Sequence, residues 1–369
     1  MRLLPSAAAL LAMVGLAWAG HEVAVYPSYY PHEIRIEVMT PKQAAPLLGE
    51  AKLHAYLGPE PDFSGRVPSS VRVVQSLGGW VVVRLNPQRW RADERQGCDV
   101  VETILRDVAG REGFVFHPYP VTPWHGDYLY HLDRAEAEKA RLLSEPATSP
   151  PRKLRISAKA GAAPLVRPEW RATGTDWDAA IEQIEIADLL AAARSSLDGW
   201  LGPPWLKAGW FHAVRLLGEV GDQRAQTMEH RLEDGNYQNP VERTNLERDL
   251  VAALNGSCDK RVAGYWLKRQ YFSAEFTNGI ENIGFDSMDG LNSPTFIRTV
   301  KLKDFPWNGW LNLAIDTSPA AAWNPIAGFG DAFGRLLWSA IGDPALIPAP
   351  YDSGSMLNRV ADVQADPAR

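Results

Sequence analysis

Apolar and polar residues in the first half of the chain follow patterns that predict both strands and helices. Residues 34–38 place apolar side chains at every second position, which predicts a half-buried strand. The pair Gly78-Gly79 separates two apolar runs, 71–77 and 80–85. This arrangement predicts a β-hairpin, because glycine adopts the positive φ angles of a two-residue turn. The remaining predicted elements of this half are helices over 41–56 and 100–108 and a strand over 114–116.

The second half shows helical spacing first and a mixed, aromatic pattern afterwards. Asp176 precedes apolar residues at helical spacing and is predicted to cap a helix that reaches residue 193. A helix that begins at Pro240 is predicted to end at Asn255-Gly256, since glycine commonly follows the last helical turn. The other predicted elements are a helix over 204–220 and strands over 296–302 and 310–315.

A proline-rich segment divides the chain into two parts. Residues 144–153 contain three prolines among small polar residues, which predicts a semi-rigid linker. The predicted fold class is α+β, with a smaller α+β domain over 20–143 and a larger, helix-rich mixed domain over 154–369. No sustained period is present, so a solenoid of repeats is not predicted.

Residues 1–19 have the features of a signal peptide. Arg2 precedes an uncharged apolar stretch over 3–18, and the Ala-Trp-Ala sequence at 17–19 matches a signal-peptidase site. The stretch is shorter than the roughly 20 residues of a membrane-spanning helix, so cleavage is favoured over a retained anchor. No later segment is predicted to span a membrane, and arginine greatly outnumbers lysine, as in high-GC bacteria. The sequence therefore predicts a soluble protein exported to the periplasm.

Composition and missing motifs exclude several classes of protein. The chain has 38 basic and 44 acidic residues, for a net charge of −6, whereas nucleic-acid-binding proteins usually show a basic excess. The 14 tryptophans exclude a mainly disordered chain. The sequence has no C-x-x-C-H motif and no Walker A loop, and residues 328–334 match a dinucleotide-binding motif only loosely. Neither haem nor a nucleotide is therefore predicted as a cofactor.

Cys98 and Cys258 are the two cysteines of the chain. Export places both in an oxidising compartment, where disulfides form and persist. They can form a single bridge across a long loop, or they can remain two separate buried thiols, since free cysteine behaves as a small apolar residue. The sequence leaves both possibilities open.

Three of the eight histidines lie in a proline-rich loop, residues 117–133. His117, His125 and His131 supply imidazole nitrogens, and Asp127 supplies a carboxylate. Imidazole and carboxylate together suit copper, zinc or iron, so one such transition-metal ion is a candidate cofactor. Alternatively, Asp127 only caps the helix predicted to follow it, and the histidines hydrogen-bond to the loop backbone.

Carboxylates, amides and aromatic rings are concentrated between residues 275 and 310. Glu275 and Glu281 are candidates for the catalytic carboxylate pair of a glycoside hydrolase. Aromatic rings would stack on a sugar, and further carboxylates would accept hydrogen bonds from its hydroxyls. The residues assigned to these two roles are Trp307 and Trp310, and Asp286 and Asp289. The alternative is a set of turns in which the carboxylates cap the backbone.

These observations support three hypotheses. The leading one is an exported, periplasmic binding or accessory protein whose partner is a small molecule or a metal ion held by the His/Asp cluster. The second is a carbohydrate-active enzyme or sugar-binding protein that uses the Trp/carboxylate segment. The third is a structural or interaction protein in which both clusters only pack. The hypotheses differ in which cluster lines a solvent-reachable cavity. The first expects the His/Asp cluster to do so, the second expects the Trp/carboxylate segment, and the third expects neither.

Overall fold

A computed structural model of the chain describes residues 31–90, 94–144, 153–193, 203–218, 223–304, 309–319, 331–342, 345–358 and 360–362. The predicted signal peptide lies outside these residues. Both helices and strands are present, which confirms the α+β class. The strands are β1 Glu33–Val38, β2 Ala55–Tyr56, β3 Val71–Leu85, β4 Val115–Phe116, β5 Ile156–Lys159, β6 Ala179–Glu185, β7 Lys260–Ser273, β8 Ile280–Glu281, β9 Lys301–Leu302, β10 Trp310–Ile315, β11 Leu346–Pro348 and β12 Ser355–Leu357.

Short 3-10 segments and α-helices connect these strands. The 3-10 segments are Tyr128–Tyr130, Ala160–Leu165, Pro168–Trp170 and Ala191–Ala193. The α-helices are α1 Pro41–Gly49, α2 Pro87–Trp90, α3 Glu94–Val108, α4 Leu132–Ser144, α5 Ile186–Leu190, α6 Gly209–Leu217, α7 Gln223–Glu233, α8 Pro240–Asn255, α9 Pro294–Thr299 and α10 Ala332–Ile341. In the described part of the chain, no helix is both long enough and apolar enough to cross a membrane.

Two long antiparallel strands form the centre of the main, eight-stranded sheet. The strand order is β1-β10-β2-β7-β3-β6-β5, and β4 pairs with β7 beside this path. One end of the β3–β7 pair joins β2, β10 and β1, which we call the β1 half. The other end joins β6, β5 and β4, which we call the β5 half. The strands β3 and β7 thus run from one half of the sheet into the other.

This sheet contains strands from both sides of the predicted linker. β3 precedes residues 144–153, whereas β5, β6 and β7 follow them. Residues 145–152 lie outside the described residues. The two predicted domains therefore share one sheet.

The predicted hairpin at Gly78-Gly79 is wrong, because both glycines lie inside the single strand β3. A Cβ atom at Gly78 would overlap the Trp266 ring, and one at Gly79 would overlap the carbonyl oxygen of Ile184. The pairing of β3 with β7 shifts register between Leu77 and Gly79. The glycine pair therefore permits close approach of neighbouring groups at a bulge.

Two further segments differ from their predicted class. The segment predicted as a helix after Asp176 is first the strand β6, which pairs with β3 and β5, and a short helix follows at Ile186–Leu190. The segment predicted as a strand over 296–302 is mostly the helix α9, whose first turn is capped by the Ser293 hydroxyl, followed by the two-residue strand β9. Pairing with neighbours on both sides decided the first case, and a side-chain cap decided the second.

Other predictions agree with the structure or differ from it mainly at the ends of the elements. The predictions for β1, β10 and α8 hold closely. The predicted helix over 41–56 ends at Gly49, and the one over 204–220 is α6. The helix predicted over 100–108 begins six residues earlier, at Glu94, and the strand over 114–116 is the two-residue β4.

Helices cover both faces of the sheet. On β3, Trp80 and Val82 point into a core that they share with α6, α7 and α8, while Val81 and Val83 point into a core that they share with α3. In the β1 half, Leu313 packs with α9 and α10 on one face. The other face of that half packs against α1. Each half of the sheet therefore has its own buried apolar cores.

A disulfide joins Cys98 on α3 to Cys258, which lies two residues before β7. Their Cα atoms are 5.0 Å apart, and the two residues are separated by 160 positions in the sequence. Of the two possibilities that the sequence left open, the structure shows the bridge. It fastens a helix of the β5 half to the beginning of a central strand.

Candidate functional site

A cavity of about 790 Å³ lies where the two halves of the sheet meet. The middle of β3 and the middle of β7, at Leu77-Gly78 and residues 266–269, line it. The β1 half adds the loop at residues 57–60, and the β5 half adds the segment 185–187 at the start of α5. The cavity forms at the β3 bulge, where a glycine leaves room for the Trp266 ring.

The lining of the cavity carries charges of both signs. Four carboxylates and three basic side chains reach it. The carboxylates are Glu60, Glu185, Asp289 and Asp316, and the basic side chains are Lys268, Arg269 and Arg335. Charged groups in an enclosed site act on a ligand more strongly than the same groups in bulk water. This mixture distinguishes the cavity from a purely apolar one.

Lys268 is half-buried in the cavity and lies near three of the carboxylates. Burial lowers the pKa of its ammonium group, and the charges of Asp289, Glu185 and Asp316 oppose that shift. Within the described part of the chain, the Lys268 ammonium group makes no hydrogen bond or ion pair. An ammonium group in that position is available to interact with a bound ligand.

Aromatic rings and buried polar atoms without partners complete the lining. Trp266, Phe114 and Phe333 supply apolar surface. The indole Nε1 of Trp266 and the Oδ1 atom of Asn292 are buried and have no hydrogen-bond partner in the described part of the chain. Buried polar atoms normally have partners, so these atoms are available to hydrogen-bond to a molecule bound in the cavity.

The turn at residues 286–290 brings Asp289 to the cavity. The backbone of Asp286 exchanges two hydrogen bonds of 2.9 Å with that of Gly290, which closes the turn. Asp286 Oδ1 accepts from the N–H groups of Met288 and Asp289 at 2.9 and 3.1 Å. The other oxygen of Asp286 accepts from the buried Lys207 ammonium. Asp286 was predicted as a ligand-binding residue, but its carboxylate is fully engaged in holding the turn.

The predicted carboxylate pair lies away from the cavity. Glu275 caps an exposed turn and accepts from the N–H groups of Thr277 and Asn278 at 2.7 and 2.6 Å. Glu281 is exposed on β8, opposite Lys301 of β9. Neither carboxylate lines the 790 Å³ cavity. Glycoside hydrolysis by this pair therefore stays a prediction from the sequence alone.

Trp310 lines a different, shallower cavity of about 520 Å³, together with His54 and Asn312. The guanidinium carbon of Arg35 lies 3.6 Å from the centre of the Trp310 ring. One face of that ring is thereby covered by a cation. Trp307 lies outside the described residues. Of the three described residues that were predicted to bind a ligand, Asp289 is the one that reaches the 790 Å³ cavity.

Asp127 does not cap the helix that follows it. Its side chain makes no capping hydrogen bond to the 3-10 segment Tyr128–Tyr130, and α4 begins only at Leu132. Its Oδ2 atom instead accepts from the N–H group of Gly209, at the first residue of α6, at 2.8 Å. Burial raises the pKa of Asp127 to about 6. The carboxylate caps a helix, but one from a distant part of the chain.

His125 forms a buried hydrogen-bond chain with His212, which was not among the predicted metal ligands. The His125 Nε2 and His212 Nδ1 atoms are 2.8 Å apart, and His212 Nε2 lies 2.8 Å from the Leu206 carbonyl oxygen. The N–H group of Thr122 donates to His125 Nδ1 at 3.0 Å. These partners fix one proton on each ring. His212 donates to Leu206 through Nε2, and its Nδ1 accepts from His125 Nε2–H. Both imidazoles are therefore neutral.

The remaining predicted metal ligands also have local partners. His117 Nε2 donates to the Val121 carbonyl oxygen at 2.8 Å, and His131 Nδ1 lies 3.1 Å from the Tyr119 hydroxyl. His131 Nε2 and Asp127 Oδ1 are buried and have no partner among the residues that the structure describes. Within the described ranges, no group of three or more His, Cys, Asp or Glu side chains is placed to hold a metal ion. Binding of copper, zinc or iron by these residues stays a prediction from the sequence alone.

Acid is expected to destabilise the protein through the buried histidines. Burial lowers the pKa of His125 from 6.5 to about 4, so the folded protein keeps this ring neutral where the unfolded chain is already protonated. Unfolding then takes up a proton. The free energy of unfolding therefore falls by about 1.4 kcal/mol per pH unit for this residue, between pH 6.5 and its folded-state pKa. The contribution of the neutral His125 ring to the free energy of unfolding is therefore fully present above pH 6.5 and is lost progressively below it.

Urea unfolding at pH 7 and pH 5 measures this contribution. The wild type is expected to lose about 2 kcal/mol more between the two pH values than a His125→Asn variant, which lacks the titrating ring. His230→Gln, on the exposed side of α7, is the control for substituting a histidine. An equal loss in the wild type and His125→Asn would contradict the assignment.

Sequence reasoning missed most of the residues that line the cavity. Lys268 lies two residues after Trp266 in an aromatic strand and gives no local sign that it is enclosed. Asp316 lies just after β10, and its approach to Lys268 depends on β10 and β7 flanking the same short strand, β2. The sequence marked this place at Asp289 and at the Gly78-Gly79 pair, and the glycine pair predicted a turn.

No protein-family model matches the chain, and no curated protein sequence matches it. Among solved structures, it resembles the oligopeptide-binding protein AppA from Bacillus subtilis in complex with a nonapeptide, with a TM-score of 0.41, 9% identity, and coverage of 72% of this chain and 59% of that one. It also resembles the ABC transporter substrate-binding protein CtaP from Listeria monocytogenes, with a TM-score of 0.42, 8% identity, and coverage of 71% and 58%.

A third similar structure is the periplasmic binding protein DppA from Helicobacter pylori in complex with the peptide STSA, with a TM-score of 0.39, 11% identity, and coverage of 72% of this chain and 56% of that one. The chain therefore spans between 56% and 59% of the length of these three proteins.

Proposed function

We propose that the protein is an exported, periplasmic binding protein that holds a small organic ligand in the 790 Å³ cavity between the two halves of the sheet. The observation that carries this proposal is the cavity itself, with its charged groups and unpartnered polar atoms. Its volume falls within the ~300–1,000 Å³ of small-molecule sites, which commonly occur where two structural units meet.

The connection between the two halves suits a ligand that is enclosed on binding. β3 and β7 run through both halves, and the register shift near Gly79 lies beside the cavity. A small rotation of one half about these strands would bring the loop at residues 57–60 toward the segment at 185–187. Closure around a ligand by hinge motion is a common property of binding proteins.

Export rests on two independent features. The first 19 residues have the pattern of a cleaved signal peptide. The disulfide between Cys98 and Cys258 is of the kind that persists in an oxidising compartment and is rare in the cytosol. Both features fit a periplasmic location.

Blocking the cavity is expected to abolish ligand binding. Ala187 is exposed and lines the cavity at the start of α5, so Ala187→Trp places an indole in the ligand space. Ala137→Trp, on the exposed side of α4, is the matched control, because it adds the same group away from the cavity. A panel of amines, amino acids, short peptides, dicarboxylates and sugars is screened by the shift of the melting temperature.

At a ligand concentration of 100 Kd, binding adds about 2.7 kcal/mol to the free energy of unfolding, which gives a readily measured shift. At least one class of the panel is expected to stabilise the wild type and Ala137→Trp, but not Ala187→Trp. The proposal fails if no class stabilises the wild type, or if Ala187→Trp is stabilised as much as Ala137→Trp.

A further inference from the structure

We infer that the ligand of this cavity is an organic cation, with an ammonium or guanidinium group and an apolar portion. This inference rests on the proposed function. The cationic group would lie among Asp289, Asp316 and Glu185, and would donate to the amide oxygen of Asn292.

The first argument is the balance of charge around Lys268. Three carboxylates act on this one ammonium group, and all four side chains line the same cavity. The side-chain carboxylates of Asp316 and Glu185 make no hydrogen bond or ion pair with any described residue. An anionic ligand that approached Lys268 would be repelled by three carboxylates, whereas a second cation would be attracted by the excess negative charge.

The other basic residues of the cavity do not remove this excess. Arg269 is exposed, and its guanidinium group lies 3.9 Å from Glu60, which is a different carboxylate. Arg335 is buried on α10 and has an interaction of its own. The carboxylates at residues 185 and 316 are therefore left to Lys268 and to a ligand.

The second argument is the hydrogen-bonding character of Asn292. Its side chain is 3% exposed, and its Oδ1 atom is buried without a partner in the described part of the chain. A carbonyl oxygen accepts and cannot donate, so the ligand group that satisfies it must carry an N–H or O–H. An ammonium or guanidinium group supplies such donors together with the required charge.

The third argument is the aromatic surface beside these carboxylates. Trp266, Phe114 and Phe333 line the same cavity. Rings bind the apolar part of a ligand, and their faces also attract cations. A dicarboxylate would match this combination of rings and carboxylates less well than an alkylated cation, because like charges repel.

Calorimetric titration of the full mature chain tests the inference with named probes. The cations are agmatine, putrescine, choline and arginine; glutarate is the anion, and glucose is the neutral probe. At least one cation is expected to bind, while glutarate and glucose are not. Lys268→Met removes the competing ammonium group and is expected to raise the affinity for that cation at least tenfold. Asp316→Asn is expected to lower it at least tenfold, and Glu169→Gln, an exposed carboxylate elsewhere, is expected to leave it unchanged.

The outcomes separate this inference from the proposed function. Glutarate binding that is lost in Lys268→Met would overturn the inference while leaving a ligand site in the cavity. The inference would also be overturned, and the ligand site kept, if no cation binds and the thermal panel identifies a neutral ligand that stabilises the wild type but not Ala187→Trp. A cation that binds equally well to the wild type, Lys268→Met and Asp316→Asn would also overturn it, because it would be held elsewhere. If no probe and no member of the panel binds, the proposed function fails as well.

Discussion

Replacing Lys207 with methionine is expected to lower the free energy of unfolding by about 3–5 kcal/mol, because it leaves the Asp286 carboxylate buried without its counter-ion. Lys207 is 5% exposed and Asp286 is 3% exposed. The Lys207 ammonium also donates to the Ala349 carbonyl oxygen at 2.6 Å, so the pair fastens the segment 345–358 to the core. The same substitution should loosen the turn that carries Asp289.

Chemical denaturation of single and double variants tests this expectation. Asp286→Asn keeps the shape of the side chain and leaves the Lys207 charge unpaired, so it is expected to destabilise by a similar amount. The double variant should lose less free energy of unfolding than the two single variants lose in total, since neither charge remains. Lys52→Met breaks an exposed pair with Glu50 and should cause no measurable change. Additive effects of the two single substitutions would contradict the account of a buried pair.

Removing the disulfide is expected to cost about 4–5 kcal/mol, the loop-closure entropy for a bridge that spans 160 positions. The variant replaces both Cys98 and Cys258 with alanine, so that no free thiol remains. Because the bridge fastens α3 to the start of β7, the β5 half should unfold at a lower denaturant concentration.

A reductant provides the matched control for this prediction. It should lower the melting temperature of the wild type toward that of the double variant and leave the variant unchanged. Thiol titration of the denatured, unreduced wild type should find no free thiol. Two free thiols, or a wild type that is insensitive to reductant, would contradict the prediction.

Elements whose signals are local could be predicted from the sequence. The helix α8 has an asparagine cap at Asn239, a proline at its first residue and a glycine just after its end, and its predicted and observed bounds agree closely. The strand β1 alternates because one of its faces is more buried than the other. These elements depend on residues within a few positions of one another, which a pattern records.

Elements decided by distant contacts could not be predicted in this way. Gly78-Gly79 is a turn signal by local rules, but these residues lie mid-strand because the Trp266 ring and the Ile184 carbonyl occupy the space of their side chains. The apolar residues of β6 match a helical spacing, and pairing with β3 and β5 overrides it. A single sequence does not record which distant strand lies alongside.

The same limit applies to the site. Asp289 was named from the sequence, since a carboxylate in a glycine-rich loop stands out. Lys268 and Asp316 were not, because their proximity follows from the order of strands in the sheet. Conversely, the histidines that stood out by their spacing in the sequence prove to be engaged with backbone, hydroxyl or imidazole partners. The histidine-rich segment, where reactive side chains are dense in the sequence, is packed among local partners. The cavity is instead lined by residues that are scattered along the sequence.

Native mass spectrometry of the protein isolated from its own compartment tests the central claim most directly. The account predicts one small organic molecule per chain in the wild type and in Ala137→Trp, released on denaturation and absent from Ala187→Trp. Equal ligand content in Ala187→Trp, or a wild-type mass that is the same before and after denaturation, would contradict binding in the 790 Å³ cavity.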